Sequence, residues 1–163
     1  MIEKIFENLI NFGYFGIFLI NLIGYSSILF PLPASLFVFL SGGFLNPLIL
    51  APAAGLGAAL GELTGYGIGF GGRKLILKEK TKERIEKVTN FLKGKKAIFF
   101  AFVFLAAIPV LGGDILGISA GFLKYDLKKF FLASFIGKTI LHLAIAFAGF
   151  FGISWIKNIL KPF

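Results

Sequence analysis

The chain has 163 residues, of which 57% are hydrophobic and 22 are phenylalanine, and it carries a formal net charge of +9. A soluble domain of this size has no core large enough to hide that much apolar side chain, so the composition points to an integral membrane protein. With no cysteine and a single histidine, disulfides, thiolate nucleophiles and zinc sites built on thiolate and imidazole clusters are excluded, and no enzyme, metal or cofactor is expected.

In a soluble protein the positive charge would suggest nucleic acid. Here the Lys and Arg residues stand beside apolar segments, where they set topology and touch anionic headgroups, so membrane lipids are the expected partners and nucleic acid is not. Met1 to Asn11 is mixed in charge and runs directly into apolar sequence, so no cleavable signal is expected.

Phe12 to Phe30 forms an apolar run that meets Pro31-Leu32-Pro33, where a helix must stop. The next apolar piece, Ala34 to Leu45, is about 12 residues or about 18 Å as a helix, too short for a hydrocarbon core of about 30 Å. It reads as half of a re-entrant hairpin. Leu48 to Gly71 is long enough to span, and Arg73 closes it. From Arg73 to Lys96 the sequence holds ten basic and three acidic residues. Within that segment Ile85, Val88, Phe91 and Leu92 recur at helical spacing, the pattern of an amphipathic helix on the membrane surface, although a solvated loop accounts for the charge as well. Ala97 to Ile108 then leads to a second break at Pro109 to Gly113, a short helix from Asp114 to Leu123, and a spanning segment from about Leu127 to Phe150. A tail with Trp155 as an interfacial anchor ends the chain.

The two halves repeat each other. Pro31 through Leu45 lies without a gap over Pro109 through Leu123, a step of 78 residues, matching Pro31/Pro109, Ser41/Ser119, Gly43/Gly121, Phe44/Phe122 and Leu45/Leu123. The same step pairs Gly71 with Gly149. Pro31, Pro33, Pro109, Gly112 and Gly113 are therefore the expected hairpin breaks. If the 73–96 segment is cytoplasmic by the positive-inside rule, the second hairpin returns its turn of Lys124, Lys128 and Lys129 to that side, and the first dips from the opposite face. The expected fold is thus all-α and membrane-integral. It is one domain over 1–163, an inverted repeat of two re-entrant hairpins each followed by a transmembrane helix. Repeat one covers about 12–72, the basic amphipathic segment 73–96, repeat two about 97–150 and the tail 151–163.

Glu62 and Asp114 are the acids inside apolar sequence, and each would cost about 2.5–3.5 kcal/mol facing lipid. Both should face the interior or a water-filled cavity, as ion- or proton-coupling groups. Asp114 also suits a helix cap. The glycines around Glu62 suit plain helix packing, which asks for no carboxylate. Lys138 and His142 are one turn apart on the last span, with Ser134 a turn further back. Lys138 is the expected partner of Glu62 or Asp114, as a structural pair or as a phosphate contact. His142 reads either as a hydrogen-bonded structural residue or as part of a substrate path. Arg73 reaches a headgroup phosphate or snorkels to the interface. Ser35, Ser41 and Ser119 stand at the breaks and would line the path.

Gly57-Ala58-Ala59-Leu60-Gly61-Glu62-Leu63-Thr64-Gly65-Tyr66-Gly67-Ile68-Gly69 closely resembles the glycine-rich signature of the DedA, or SNARE-associated/VTT, superfamily. Ile108 through Asp114, with Ser119 through Leu123 and Phe131 through Lys138, resembles its second signature, in the YqaA-like branch. The resemblance covers essentially the whole chain and implies two opposed re-entrant hairpins and movement of lipids across the bilayer, as a polyprenyl-phosphate flippase or a phospholipid scramblase, coupled to protons or sodium. It places Glu62 and Asp114 on the family's acidic positions. Two departures stand out: the family's first-hairpin glutamate is Ser35 here, and the two arginines flanking the second proline are Ala106 and Gly112. Either Lys138 or Arg73 then supplies the positive charge, or this branch handles a different lipid or ion. A multi-pass protein of the cell membrane is expected, and a homo-oligomer is compatible with it. The rival readings are a proton-coupled small-ion antiporter and a non-transporting membrane scaffold.

Overall fold

A computed structural model describes residues 2–26, 34–76, 96–108 and 113–159, together with Lys87 and Asn90. The breaks at Pro31, Pro33, Pro109 and Gly112, and nearly all of the proposed amphipathic segment, lie outside the described residues. The described residues contain no strand. Their helices are α1 (Ile2–Ser26), α2 (Ala34–Gly42), α3 (Pro47–Ile76), α4 (Lys96–Ala106), α5 (Gly113–Phe122) and α6 (Leu127–Ile159). α1 is interrupted at Gly13, whose φ of 51° and ψ of −132° suit a residue without a Cβ. Gly113 opens α5.

Two helices are long and apolar enough to cross a membrane, over Pro47–Arg73 and Leu127–Ile153. Both helices outrun the spans expected from sequence, because the apolar stretch sets the part that must lie in lipid while the backbone ladder continues into polar residues. Each begins with a side-chain cap. Asn46 Oδ1 accepts from the Leu48 amide at 2.9 Å, with Pro47 in the first helical position, and Asp126 Oδ1 accepts from the Lys129 amide at 2.8 Å. The outer surface is studded with exposed Phe15, Ile68, Phe70, Phe104, Ile136, Ile140 and Phe151, which suits a lipid solvent.

α3 and α6 cross antiparallel. Gly55 abuts Thr139, Glu62 meets Ser134 and Lys138, and Tyr66 stacks on Phe130 at 5.7 Å. α1 instead runs parallel to α3. The Asn46 amide donates to Tyr14 Oη at 3.1 Å, Gly61 abuts Leu22 and Tyr25, and Thr64 Oγ1 donates to the Ser26 carbonyl at 3.3 Å. The α1 stretch after Gly13 therefore starts beside the first residues of α3 and ends beside its middle, and the chain then returns through α2 to Asn46. α4 lies beside α6 in the same way, and the chain then returns through α5 to Asp126. Phe102 packs on Tyr125 at 5.0 Å and on Phe130 at 5.6 Å, and Gly137 abuts Val103 and Ala106.

Each returning helix packs on the long helix of the other half, α2 on α6 and α5 on α3. Four glycines allow the approach. A Cβ on Gly42 would strike the Ala146 carbonyl, one on Gly149 the Phe39 carbonyl, one on Gly121 the Tyr66 carbonyl and one on Gly69 the Ile118 carbonyl. Tyr66 and Ala146, Gly69 and Gly149, and the caps Asn46 and Asp126 are each 80 positions apart. This corrects the match of Gly71 with Gly149: Gly71 has open space where its Cβ would be, and Gly69 is the glycine in the equivalent contact. The equivalent contacts of the short helices, Gly42 with Gly121 and Phe39 with Ile118, are 79 positions apart, so the match of Gly43 with Gly121 shifts by one as well; the step then grows to 80 because α5 is one residue longer than α2 and each is followed by four linking residues.

Candidate functional site

Glu62 lies 15 residues after Pro47, about 22 Å along α3 at 1.5 Å per residue, near the middle of the span. The glycine-rich run that carries it lets α1 and α5 approach closely: Gly61 lies against the Leu22 carbonyl, and Gly117 against the carbonyl of Glu62 itself. The carboxylate is fully buried. Lys138 Nζ stands 2.9 Å from Oε1, and Ser134 Oγ donates to Oε2. Ser134 and Lys138 are one turn apart on α6 and grip the two oxygens separately. Lys138 Nζ also lies 4.4 Å from the centre of the Tyr25 ring of α1, so the ammonium is held by a carboxylate and an aromatic face.

His142 follows one turn later and meets the same Tyr25 ring edge-on at 6.0 Å. It is completely buried, and neither of its ring nitrogens completes a hydrogen bond among the described residues. The Lys138 carbonyl, one turn back, is its neighbouring acceptor. Asn21, one turn before Tyr25 on α1, is also fully buried. Its Nδ2 donates to the Ile17 carbonyl at 2.8 Å, while its Oδ1 has no partner among the described residues.

The structure therefore resolves the pairing that the sequence leaves open: Lys138 pairs with Glu62. It places Arg73 away from this cluster. Arg73 is buried, and its guanidinium donates to the Phe122 carbonyl at 2.9 Å, closing the C-terminal end of α5 rather than standing free at the interface. Ser35 and Ser41 are half-buried on α2, and Ser119 is exposed on α5. Asp114 occupies the second position of α5, and its side chain lies outside the described residues. Tyr25 and Asn21 are the members that sequence reasoning missed. The available signal was their four-residue spacing, which puts both polar groups on one face of an apolar run.

Chemically, the arrangement is a neutral pair of opposite charges at the centre of two crossed apolar helices, with unspent hydrogen-bonding groups beside it. Among the described residues no group of three or more His, Cys, Asp or Glu side chains could hold a metal.

A family model described as the VTT domain matches residues 30–151. Transmembrane protein 41B of Xenopus tropicalis is 29% identical over 113 residues, covering 66% of this chain and 40% of its own length. The proteins of the same name from Gallus gallus and Homo sapiens are each 26% identical over 113 residues, covering 41% and 38% of their own lengths. The chain thus spans about two fifths of the length of the curated relatives it matches. No solved structure matches it.

Proposed function

The chain belongs to the VTT-domain family, and on that premise we propose that it moves a lipid across the bilayer through a polar crevice between two opposed re-entrant hairpins, as a flippase or scramblase. The observation that carries this reading is the Glu62–Lys138 pair, buried at the middle of α3 and α6. Packing alone needs no such pair, since a hydrophobic replacement of equal volume is commonly as stable. Ionisable groups at membrane depth mark paths for ions and polar substrates.

The proposed architecture is an inverted repeat, 12–72 and 97–150, whose halves dip from opposite faces. It is supported by the antiparallel crossing of α3 and α6 and by the reciprocal seating of α2 on α6 and α5 on α3. In such folds the site lies near the midplane, between the repeats. Ser26 lies beside Thr64, so α1 ends at the depth of Glu62. Glu62 and Asp114 are the ion-responsive acids in this reading. Lys138 is the contact for an anionic headgroup, and the acyl tails stay in lipid. Ser35 and Ser41 flank the crevice from α2. Coupling to a proton or sodium gradient and residence in the cell membrane belong to the same proposal.

The test is transbilayer movement of labelled phospholipid and labelled polyprenyl phosphate in reconstituted vesicles, with and without a pH gradient. The wild type is compared with Glu62→Gln and Asp114→Asn. Movement that is lost in the variants supports the reading. Folded wild-type protein that moves neither lipid sinks it, and proton flux without lipid movement would point to an ion antiporter instead.

A further inference from the structure

His142 is buried at the heart of the cluster, yet the proposed transport gives it no task. Apart from the Lys138 carbonyl one turn back, this fully buried imidazole has no partner among the described residues, and its second nitrogen is costly to bury unless something else occupies it. It shares the Tyr25 ring with the Lys138 ammonium, so the ring and the ammonium border the same aromatic group from one face of α6. Asn21 Oδ1, one turn away on α1, is likewise unspent.

The repeat gives this histidine a counterpart. Glu62 and His142 are 80 positions apart, the step that relates the caps Asn46 and Asp126 and the long-helix glycines Gly69 and Gly149. The acid of one long helix thus corresponds to the base of the other. By the same step Ser134 and Lys138, which hold Glu62, correspond to Ala54 and Ala58, both buried. The acid has its donors, whereas the equivalent base faces alanine positions.

Charge sets the rest. Carboxylate and ammonium together are neutral, and a bare carboxylate at membrane depth is strongly unfavourable. The ionisable groups facing His142 are few. Lys138 comes from its own helix and Tyr25 from α1, with Glu62 of α3 on the other side of the Lys138 ammonium; α2 has no ionisable side chain, and that of α4 is Lys96 at its exposed first residue.

We propose that His142 is the alternative cationic partner of Glu62. When Lys138 turns toward an anion in the crevice, the imidazole takes one proton from water and replaces the ammonium beside the carboxylate. The charge balances at both stages. Before, carboxylate, ammonium and neutral ring sum to zero. After, carboxylate with imidazolium and ammonium with a monoanion again sum to zero. One proton enters with each negative charge bound and leaves with it. The anion that draws Lys138 away, and the use of the exchange in transport, rest on the lipid-moving reading, whereas the competition of Lys138 and His142 for the carboxylate does not.

The chain's single histidine makes the test direct, because nitrogen-15 histidine labelling gives one imidazole signal in reconstituted membranes. Wild type, Glu62→Gln, Lys138→Met and the double variant are titrated across the ordinary histidine range around a pKa of about 6.5. In Lys138→Met the ring is expected to protonate about tenfold more readily than in wild type, because it inherits the carboxylate. In Glu62→Gln it is expected to protonate about tenfold less readily, and the double variant loses the gain. A midpoint unmoved by Lys138→Met, or a gain that survives in the double variant, overturns the proposal and leaves His142 a packing residue. If Lys138→Met fails to fold, the isosteric Glu62→Gln decides alone, and an unmoved midpoint there overturns it. Because the readout is protonation, a shift without lipid movement would reject the transport reading and keep the exchange, and the reverse result would reject the exchange only.

Discussion

The Glu62–Lys138 pair can be tested separately as a structural element and as a functional one by a double-mutant cycle. Glu62→Gln leaves the Lys138 ammonium, 1% exposed, facing an amide, and Lys138→Met, measured above the pH at which His142 protonates, leaves a carboxylate held by the Ser134 hydroxyl alone. Breaking one side of a buried pair typically costs about 3–5 kcal/mol, because the remaining charge stays out of water. If the two positions were independent, the double variant would cost about 6–10 kcal/mol. Since Gln and Met nearly conserve volume and remove both charges together, the double variant is expected to cost about 0–2 kcal/mol, less than either single change. Its coupling energy is therefore at least about 4 kcal/mol, above the usual range for contacting residues and suited to a desolvated charge pair. The assay is reversible unfolding in mixed micelles, with lipid movement measured on the same samples. Costs that add in the double variant would refute the pairing drawn from the 2.9 Å separation. A stable double variant that still moves lipid would refute the role given to the charges.

The 80-residue step makes a sharp contrast between neighbouring glycines. Gly69→Ala is expected to cost about 1–3 kcal/mol through collision with the Ile118 carbonyl, whereas Gly71→Ala, into open space, should be neutral or slightly stabilising in thermal unfolding. Arg73→Ala removes a charged donor from the Phe122 carbonyl and should lower stability by about 1.5–3 kcal/mol, slowing transport without changing the preference among headgroup charges. Because the chain has no cysteine, single cysteines can be read without background. Phe12→Cys and Asn46→Cys should be labelled by a membrane-impermeant maleimide from one face, and Lys96→Cys and Lys124→Cys from the other. Labelling of positions 12 and 46 from opposite faces would show that the first hairpin crosses.

Much of this organisation is legible in the sequence because membrane physics leaves few alternatives. Apolar stretches as long as 48–71 and 127–150 must be helices if they cross lipid, whereas the re-entrant reading of the shorter pieces rests on their length of about 12 residues. The VTT resemblance came from the glycine run around Glu62, and the matched region 30–151 contains that run. The register of the repeat is less legible. Counting identities favoured 78, since the hairpin residues from Pro31 to Leu45 dominate the match, while the step of the long helices is set by where Asn46 and Asp126 cap them. The pairing of Glu62 with Lys138 depends on how α3 crosses α6, and one-dimensional spacing carries no information about that crossing. Arg73 looked interfacial because it ends an apolar run. Its burial depends on the end of α5, 49 residues away, coming to rest beside it. Tyr25 was hidden in plain composition, as an aromatic in an apolar run is ordinarily a packing residue.

The reciprocal seating of the short helices also has a mechanical meaning. α5 rides on α3 and α2 rides on α6 through carbonyl-to-glycine contacts that leave no room for sliding side chains. A tilt of α3 against α6 about their crossing would therefore carry each short helix along with its host, like the two arms of a rocker. In the proposed lipid-moving reading, such a tilt about the crossing would widen the gap at one end while narrowing it at the other, so that a site at the crossing would open to one face at a time.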